Sequence, residues 1–218
     1  MTNQSIPNIE PTHADVLPIN NLNNPEKPID EIPDYVIKLA KPEDAKAISK
    51  LVGSTWTKHF GYSVSPEDLD KYVNITLSPE SFEKEIKEDS KYILILAFSS
   101  TPSSNENKEE LLGVSQLVIN SYPDSVNLKD EDSKRGYIEL QRLYTSDKTH
   151  GKGLGQLLVK SSEEKSNELG KTHLWLGVWV NNHRGKKFYE KVGFKQIGEK
   201  TFYAGQSKRP NLVLSKEV

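Results

Sequence analysis

Apolar residues recur along the chain with two kinds of spacing, one typical of helices and one typical of strands. Ala45, Ile48, Val52 and Trp56 recur at helical spacing, and Pro42 precedes them at a suitable first helical position. Residues 92–98 form an almost continuous apolar run, which is typical of a strand covered on both faces. The other periodic segments predict strands at 35–39, 111–120, 137–144, 173–179, 194–200 and 211–215, and helices after 65, over 79–89, from 155 to about 169 and over 182–192.

Two polar stretches interrupt this pattern. Residues 99–110 are rich in Ser, Asn and Glu, and residues 121–135 are rich in charge, so both are predicted to be loops. Because strands and helices are mixed along residues 35–218, the pattern as a whole predicts an α/β layered domain.

The first 34 residues differ from the rest in composition. They hold six acidic residues against one basic residue, together with six of the twelve prolines. Their net charge is −5, so the remaining residues carry +3. Since this stretch lacks apolar periodicity and its prolines remove backbone donors, we predict an N-terminal tail over 1–34 and a folded domain over 35–218. A partner-binding arm and a targeting segment are both left open for the tail.

Composition excludes several classes of chemistry. The chain has no cysteine, which excludes disulfides, thiol nucleophiles and cysteine-ligated metals. Its five histidines are scattered without metal-ligand spacing, so no metal is expected. A net charge of −2 argues against a nucleic-acid partner. No apolar run approaches 18 residues and no secretory signal is visible, so we expect a soluble, cytoplasmic protein without a membrane partner.

The predicted strand over 137–144 leads to a glycine-rich turn, Gly151-Lys152-Gly153-Leu154-Gly155, and then to a helix. Glycines let the backbone approach a ligand closely, and the free N–H groups at a helix start attract an anion. The lysine and hydroxyl of a P-loop are missing, and so is the spaced acidic residue of a dinucleotide fingerprint. The turn therefore predicts a phosphate site, with a tight turn that holds no ligand as the alternative.

A second motif follows about 27 residues downstream, after another strand: Asn182-His183-Arg184-Gly185-Lys186-Lys187-Phe188-Tyr189-Glu190-Lys191-Val192-Gly193-Phe194. Together the two motifs resemble the GNAT superfamily of acyl-CoA-dependent N-acetyltransferases. In that family the first turn binds the pyrophosphate of acetyl-CoA, and the second motif forms the neighbouring helix and strand. The resemblance covers Tyr35 to Lys216, and the runs 139–144, 175–179 and 211–216 look most like PaiA-type spermidine/spermine acetyltransferases.

This resemblance implies a single GNAT-type α/β domain, with a mixed, mostly antiparallel sheet of about seven strands flanked by helices. It also implies acetyl-CoA as co-substrate, no metal, and direct attack by the acceptor amine in a ternary complex. The lack of cysteine agrees with direct attack, because no cysteinyl acyl-enzyme can form. The implied cofactor-binding positions are Leu143, Tyr144 and Thr145 through their backbone, and His150, Gly151, Lys152, Gly153, Leu154, Gly155 and Asn182.

Two positions depart from the family's pattern. His150 stands where the family prefers Gln or Arg, which makes one contact near the pyrophosphate weaker or pH-dependent. Gly185 replaces the usual Ala of the second motif, which costs about 1 kcal/mol of helix propensity. Neither departure removes the glycine turn. Asn182 is expected to cap its helix, with or without a contact to the cofactor.

Acetyl transfer requires a neutral amine, and deprotonating an alkylamine with a pKa near 10.4 costs roughly 4 kcal/mol at neutral pH. By its position before the glycine turn, Glu139 matches the catalytic glutamate of the histone-acetylating members, so it is the predicted general base, acting directly or through water. An ion pair with a neighbouring Arg or Lys is the alternative. The resemblance implies Tyr189 as the general acid for the departing thiolate, with a core aromatic as the alternative.

The predicted acceptor wall lies between the early helices and the strand-end loops and comprises Trp56, His59, Phe60 and Tyr62. Core packing is the alternative for aromatic residues at this spacing. A polyamine is the leading acceptor, with negative charge from Glu139, Glu190 or the acidic stretch 130–132. A protein lysine or N-terminal amine is the runner-up. A non-catalytic acyl-CoA-binding module and a structural protein are the remaining alternatives, and a homodimer is left open.

Overall fold

The computed structural model describes residues 35–100, 109–126, 128 and 130–218. The predicted tail over 1–34 and most of the predicted loop over 99–110 lie outside the described residues. The boundary between tail and domain therefore stays a prediction.

One sheet holds the described strands together, in the order β1-β2-β3-β4-β5-β7-β6. All neighbouring strands run antiparallel except β4 and β5, which are parallel. This arrangement confirms the predicted mixed, mostly antiparallel sheet of an α/β domain. The seven strands are β1 (Tyr35–Leu39), β2 (Tyr92–Ser99), β3 (Leu111–Ile119), β4 (Tyr137–Thr145), β5 (His173–Trp179), β6 (Lys195–Ala204) and β7 (Ser207–Glu217).

The described part of the chain contains six α-helices: α1 (Ala45–Phe60), α2 (Pro66–Lys71), α3 (Pro79–Lys87), α4 (Glu131–Arg135), α5 (Leu154–Glu168) and α6 (His183–Lys191). Local chemistry explains where they begin. Ser65 and Ser78 cap α2 and α3, and each is followed by a proline at the first helical position. The short helix α4 interrupts the predicted loop over 121–135, because Asp130 caps it by accepting the Ser133 N–H at 2.6 Å.

Helices cover both faces of the sheet, so two apolar layers are buried. Leu154 and Leu158 of α5 pack on one face, together with Ile95 and Ala97 of β2. The helices α1 and α3 pack on the other face with Leu94 and Leu96 of the same strand. This alternation confirms that β2 is buried on both sides, as its apolar run predicts. None of the helices in the described ranges combines the length and the apolar character needed to cross a membrane.

Strands β4 and β5 pair only at their beginnings. The register joins Tyr137–Glu139 to His173–Trp175 and ends there. Beyond this point β4 skips Gln141 in its pairing with β3, and such a bulge bends a strand. The C-terminal halves of β4 (140–145) and β5 (176–179) therefore diverge and leave a wedge-shaped gap between them. The edge of β4 that faces this wedge has backbone groups without a strand partner.

The last two strands are longer than the sequence pattern predicts. Instead of ending at 200 and beginning at 211, β6 and β7 continue to a tight turn at Gly205, where φ is 61°. Asp68 of α2 holds this turn, since its carboxylate accepts the Ser207 hydroxyl at 2.6 Å and the Gln206 N–H at 3.0 Å. These hydrogen bonds lower the pKa of Asp68. The hairpin thus depends on a contact that is remote in sequence.

Candidate active site

The divergence of β4 and β5 opens a cleft of about 610 Å³. Its walls come from the end of α1, the ends of β4 and β5, the glycine-rich turn with the start of α5, and α6. Trp56, Glu139 and Lys152 are predicted at the site but do not line this cleft. The predicted residues that do line it are His59, Phe60, Tyr62, Leu143, Tyr144, Thr145, His150, Gly151, Gly153, Leu154, Gly155, Asn182 and Tyr189.

The glycine-rich turn has the backbone that an anion cradle requires. Gly151 and Gly153 have φ values of 76° and 80°, in the left-handed region that favours glycine. A Cβ atom built at either position meets no protein atom within 4 Å. Protein packing therefore does not demand glycine here, whereas the backbone conformation does.

The start of α5 completes this cradle. Gly153 is the N-cap and offers no side-chain cap, and the first N–H groups of a helix lack intrahelical partners. Leu154, Gly155 and Gln156 form this first turn and line the cleft, so the positive end of the helix dipole lies there. Lys152 instead shapes the turn, because its backbone N–H bonds to the Thr149 carbonyl at 3.1 Å.

The second motif forms α6 and is held close to the glycine turn. Asn182 caps α6 by accepting the Gly185 N–H at 2.8 Å, which confirms the predicted cap. A Cβ atom at Gly185 would overlap the Asn182 amide, so glycine at this departure from the family's pattern makes room for the cap. A Cβ atom at Gly155 would lie 3.3 Å from the Phe188 ring. Gly155 therefore serves the close packing of α5 on α6.

The His150 ring lies between the carboxylate of Asp147 and the guanidinium of Arg184. Its Nε2 lies 3.3 Å from Asp147 Oδ1, and Arg184 Nη1 donates to its Nδ1 at 3.3 Å. Asp147 also pairs with Lys58 and with His59, which lower its pKa to about 2. Burial and the charge of Arg184 lower the pKa of His150. The imidazole is therefore neutral at neutral pH.

Two phenols lie in the walls of the cleft. The Tyr189 ring packs against Phe188 and Phe194, with centroids 5.2 and 5.7 Å away. Burial raises the pKa of both Tyr189 and Tyr144. Both phenols therefore keep their protons at neutral pH, as a proton donor must.

Glu139 lies at the vertex of the wedge, where β4 and β5 stop pairing. Its carboxylate accepts hydrogen bonds from Lys200 Nζ at 3.1 Å and from the Ser121 hydroxyl at 2.8 Å. Lys200 Nζ also lies 4.5 Å from the centroid of the Trp175 ring. This geometry matches the ion-pair alternative, and the role of general base stays a prediction without support from the cleft.

The predicted acceptor wall lies at the end of α1 and faces β5 across the cleft. The rings of Phe60 and Tyr62 lie 6.3 and 6.0 Å from that of Trp179, and all three line the cleft. Trp56 is only 3% exposed and belongs to the core between α1 and the sheet. Its predicted place in the wall is therefore corrected: it lies one helical turn before Phe60 and faces the interior.

Sequence reasoning missed two cations, of which Arg184 lines the cleft and Arg209 is buried beside residues that line it. Arg184 lies inside the second motif and lines the cleft, but nothing in the motif itself distinguishes it. Arg209 is 4% exposed, and its guanidinium carbon lies 4.2 Å from the centroid of Trp179. The apolar pattern predicts no strand at Arg209, and no signal in the sequence marks a buried arginine there.

The described ionisable side chains that line the cleft include bases but no carboxylates. Among the described residues that line it there is no Asp or Glu, whereas Arg184, Lys191 and three histidines are present. Glu190 and the acidic stretch 130–132 do not line it either. This charge suits phosphate groups. Within the described ranges, no group of three or more His, Asp or Glu side chains is placed to hold a metal ion.

Comparison with curated proteins finds acetyltransferases. An uncharacterized N-acetyltransferase from the pepI 3′ region of Lactobacillus delbrueckii subsp. lactis is 27% identical over 164 residues, which cover 75% of this chain and 86% of that protein. The spermine/spermidine N(1)-acetyltransferase of Bacillus subtilis is 34% identical over 74 residues, which cover 34% of this chain and 49% of that protein.

Solved structures share the fold. The PaiA N-acetyltransferase of Thermoplasma acidophilum, in complex with coenzyme A, superposes with a TM-score of 0.64 at 20% identity, covering 85% of this chain and 99% of that one. Residues 67–194, which include the wedge, the glycine turn and α6, match the sequence model of the Acetyltransferase (GNAT) family. The chain therefore belongs to the GNAT family of acetyltransferases.

Proposed function

We propose that this acetyltransferase moves the acetyl group of acetyl-CoA to a primary amine of a small molecule, by direct attack in a ternary complex. One observation carries the proposal. The uncapped start of α5, the two left-handed glycines and the unpaired edge of β4 all border a single cleft.

The residues of the cleft fit acetyl-CoA. The turn 151–155 and the start of α5 would hold the pyrophosphate, and Arg184 and Lys191 would add positive charge for the other phosphate. The free edge of β4 over 143–145 would pair with the extended pantetheine arm, as a sheet edge pairs with an added strand. Once bound, acetyl-CoA supplies the activated thioester that an amine can attack.

The roles of the cleft residues follow from this placement. The backbone of 143–145 is held by the pairing of β4 with β3, so the N–H groups on its other, free edge would be preorganised to stabilise negative charge on the thioester oxygen. Tyr189 would donate its proton to the sulfur as the nitrogen–carbon bond forms and the carbon–sulfur bond breaks. The nitrogen gives up its surplus proton to solvent, and solvent returns a proton to the Tyr189 phenolate, so the step ends with an amide, a free thiol and a neutral phenol.

The acceptor is less well defined than the donor. A polyamine is favoured by the resemblance and supported by the Bacillus subtilis relative, over 74 residues. The cleft adds no support for a polycation, because no carboxylate lines it among the described residues. A protein lysine or N-terminal amine, and an acyl-CoA-binding module without turnover, are the alternatives.

Release of free thiol from acetyl-CoA tests the proposal. We expect at least one class of small primary amine to release thiol faster than acetyl-CoA is hydrolysed without an amine. When both substrates are varied, the double-reciprocal plots of the initial rates should intersect. Parallel lines would contradict direct transfer. Activity on peptides alone would overturn the small-molecule acceptor, and saturable acetyl-CoA binding without thiol release for any amine or peptide would favour the module.

His150 makes acetyl-CoA binding pH-dependent. Because its pKa is lowered in the free enzyme, it is neutral at pH 7.5, and a phosphate nearby favours its protonation as the pH falls. We expect wild-type affinity for acetyl-CoA to gain about fivefold between pH 7.5 and 5.5 relative to His150→Gln, which is the effect of roughly 1 kcal/mol for a partly exposed charge pair. Calorimetry at both pH values measures it, and equal pH dependence in the two proteins would contradict a role for His150.

A further inference from the structure

Arg209 of β7 lies at the back of the acceptor wall. Its guanidinium carbon is 4.2 Å from the centroid of Trp179 and 5.4 Å from that of Phe60, two residues that line the cleft. Trp56 and Phe202 enclose it from other sides, with centroids 5.6 and 5.9 Å away. The arginine is thus held in an aromatic box next to the place where the acceptor is expected.

The hydrogen-bonding capacity of this arginine is not met. Within the described ranges, the arginines that form ion pairs are Arg135 and Arg142, and Arg209 Nε has no hydrogen-bond partner. Burial lowers the pKa of Arg209, yet a guanidinium keeps its charge in proteins. Aromatic rings near a guanidinium stabilise its charge, but they do not replace the hydrogen-bond acceptors that its N–H groups require.

A second buried polar atom without a partner lies two residues further along β7. Asn211 Oδ1 has no hydrogen-bond partner, and Asn211 faces the same side of the strand as Arg209, because alternate residues share a face. Lys208 and Pro210 are exposed on the opposite face. This face of β7 therefore holds an unpaired donor, Arg209 Nε, and an unpaired acceptor, Asn211 Oδ1, which suits a ligand that carries both an anionic group and an N–H donor.

The same aromatic box disfavours an acceptor that carries only positive charge. Aromatic faces attract cations, but Arg209 already occupies the face of Trp179. Its charge repels a second cation, and no Asp or Glu in the described lining of the cleft offsets that repulsion.

We propose that the acceptor carries a carboxylate close to its primary amine, that Arg209 binds the carboxylate, and that Asn211 Oδ1 accepts a hydrogen bond from the amine. The planar fork of an arginine pairs with both oxygens of a carboxylate. This inference rests on the proposed function and narrows its acceptor from a small amine to an amino-acid-like one.

The wild-type enzyme tests the inference with matched acceptors. One set is β-alanine, its amide and propylamine, a second is 4-aminobutyrate, its amide and butylamine, and spermidine represents the polyamines. We expect kcat/KM to be about 30-fold higher for the best carboxylate than for its amide, as for a hydrogen bond to a charged group. Equal values, or a preference for spermidine, would overturn the proposal.

Three substitutions locate the effect. Arg209→Gln is expected to raise the KM for the preferred carboxylate about 30-fold, with the KM for acetyl-CoA and the kcat/KM for the matched amine within about threefold. Lys208→Gln removes the same charge from the exposed face of β7 and should behave as wild type. Arg209→Lys should recover part of the loss. An equal loss for carboxylate, amide and amine would mean that Arg209 only supports the fold, and would overturn its binding role.

One further measurement keeps the inference independent of the variants and of turnover. In the presence of CoA, the carboxylate acceptors should raise the Tm of the wild-type protein, and the matched amides should not. If no amine or peptide releases thiol, the proposed function fails, whereas this selective shift would still support the carboxylate site. If thiol is released but neither the shift nor the rates depend on the carboxylate, the proposed function stands and the carboxylate site is rejected.

Discussion

Gly153→Val is expected to weaken acetyl-CoA binding by at least about 100-fold, as the loss of two charge-assisted hydrogen bonds of about 1.5–3 kcal/mol each would. Gly153 is the N-cap of α5, with a φ of 80°. A β-branched residue does not tolerate that backbone, so the free N–H groups of the first turn would rotate out of position. Its side chain would also enter the open space beside the turn. Titration calorimetry with acetyl-CoA measures the loss directly.

Gly170→Val is the matched control for this substitution. Gly170 follows the other end of α5, has a φ of 67°, and a Cβ atom placed on it would likewise meet no protein atom within 4 Å. Both variants carry a left-handed strain of roughly 1–2 kcal/mol, so both should lower the Tm by similar amounts. Only Gly153→Val should lose affinity. Retained affinity in Gly153→Val, or equal loss in both variants, would mean that the pyrophosphate binds elsewhere.

Tyr189→Phe is expected to lower kcat by about 100-fold while the KM for acetyl-CoA changes by less than about threefold, which is typical of a lost general acid. The phenylalanine keeps the packing against Phe188 and Phe194, and only the hydroxyl is lost. Burial raises the pKa of Tyr189, so the wild-type phenol stays protonated and available throughout the neutral range. Steady-state rates at saturating amine measure the effect on kcat.

Two other tyrosines make this result specific. Tyr203 is 58% exposed on β6, and Tyr203→Phe should leave kcat at the wild-type value. Tyr144 lines the cleft with a phenol whose pKa is also raised by burial. A larger loss of kcat in Tyr144→Phe than in Tyr189→Phe would transfer the role of acid to Tyr144, and an unchanged kcat in Tyr189→Phe would reject its role.

Most elements of the sheet could be predicted because their determinants are close together in sequence. The apolar run of β2, the capping of α6 by Asn182 and the end of α5 near residue 169 each depend on a few neighbouring residues. The length of the β6–β7 hairpin was underestimated. Its weakly apolar residues 201–210 are held by Asp68, which lies 139 residues before Ser207.

In the candidate site, too, features set by neighbouring residues were predicted better than features set by distant ones. The glycine turn was predictable, since left-handed glycines before a helix are a local backbone property. For Glu139 and Trp56 the sequence left two alternatives each, because a residue's partners depend on what the fold brings beside it. Lys200, 61 residues away in sequence, engages the Glu139 carboxylate, and the packing of α1 on the sheet turns Trp56 inward.

By itself the sequence determined the class of fold, the glycine-rich turn before α5 and the motif that forms α6, because backbone preferences and apolar periodicity act over a few residues. Only the tertiary structure decided that Glu139 is paired and that Arg209, whose Nε has no partner, lies among aromatic rings that border the cleft. Burial and the satisfaction of charges are properties of the space between elements, and that space exists only after distant parts of the chain have packed together.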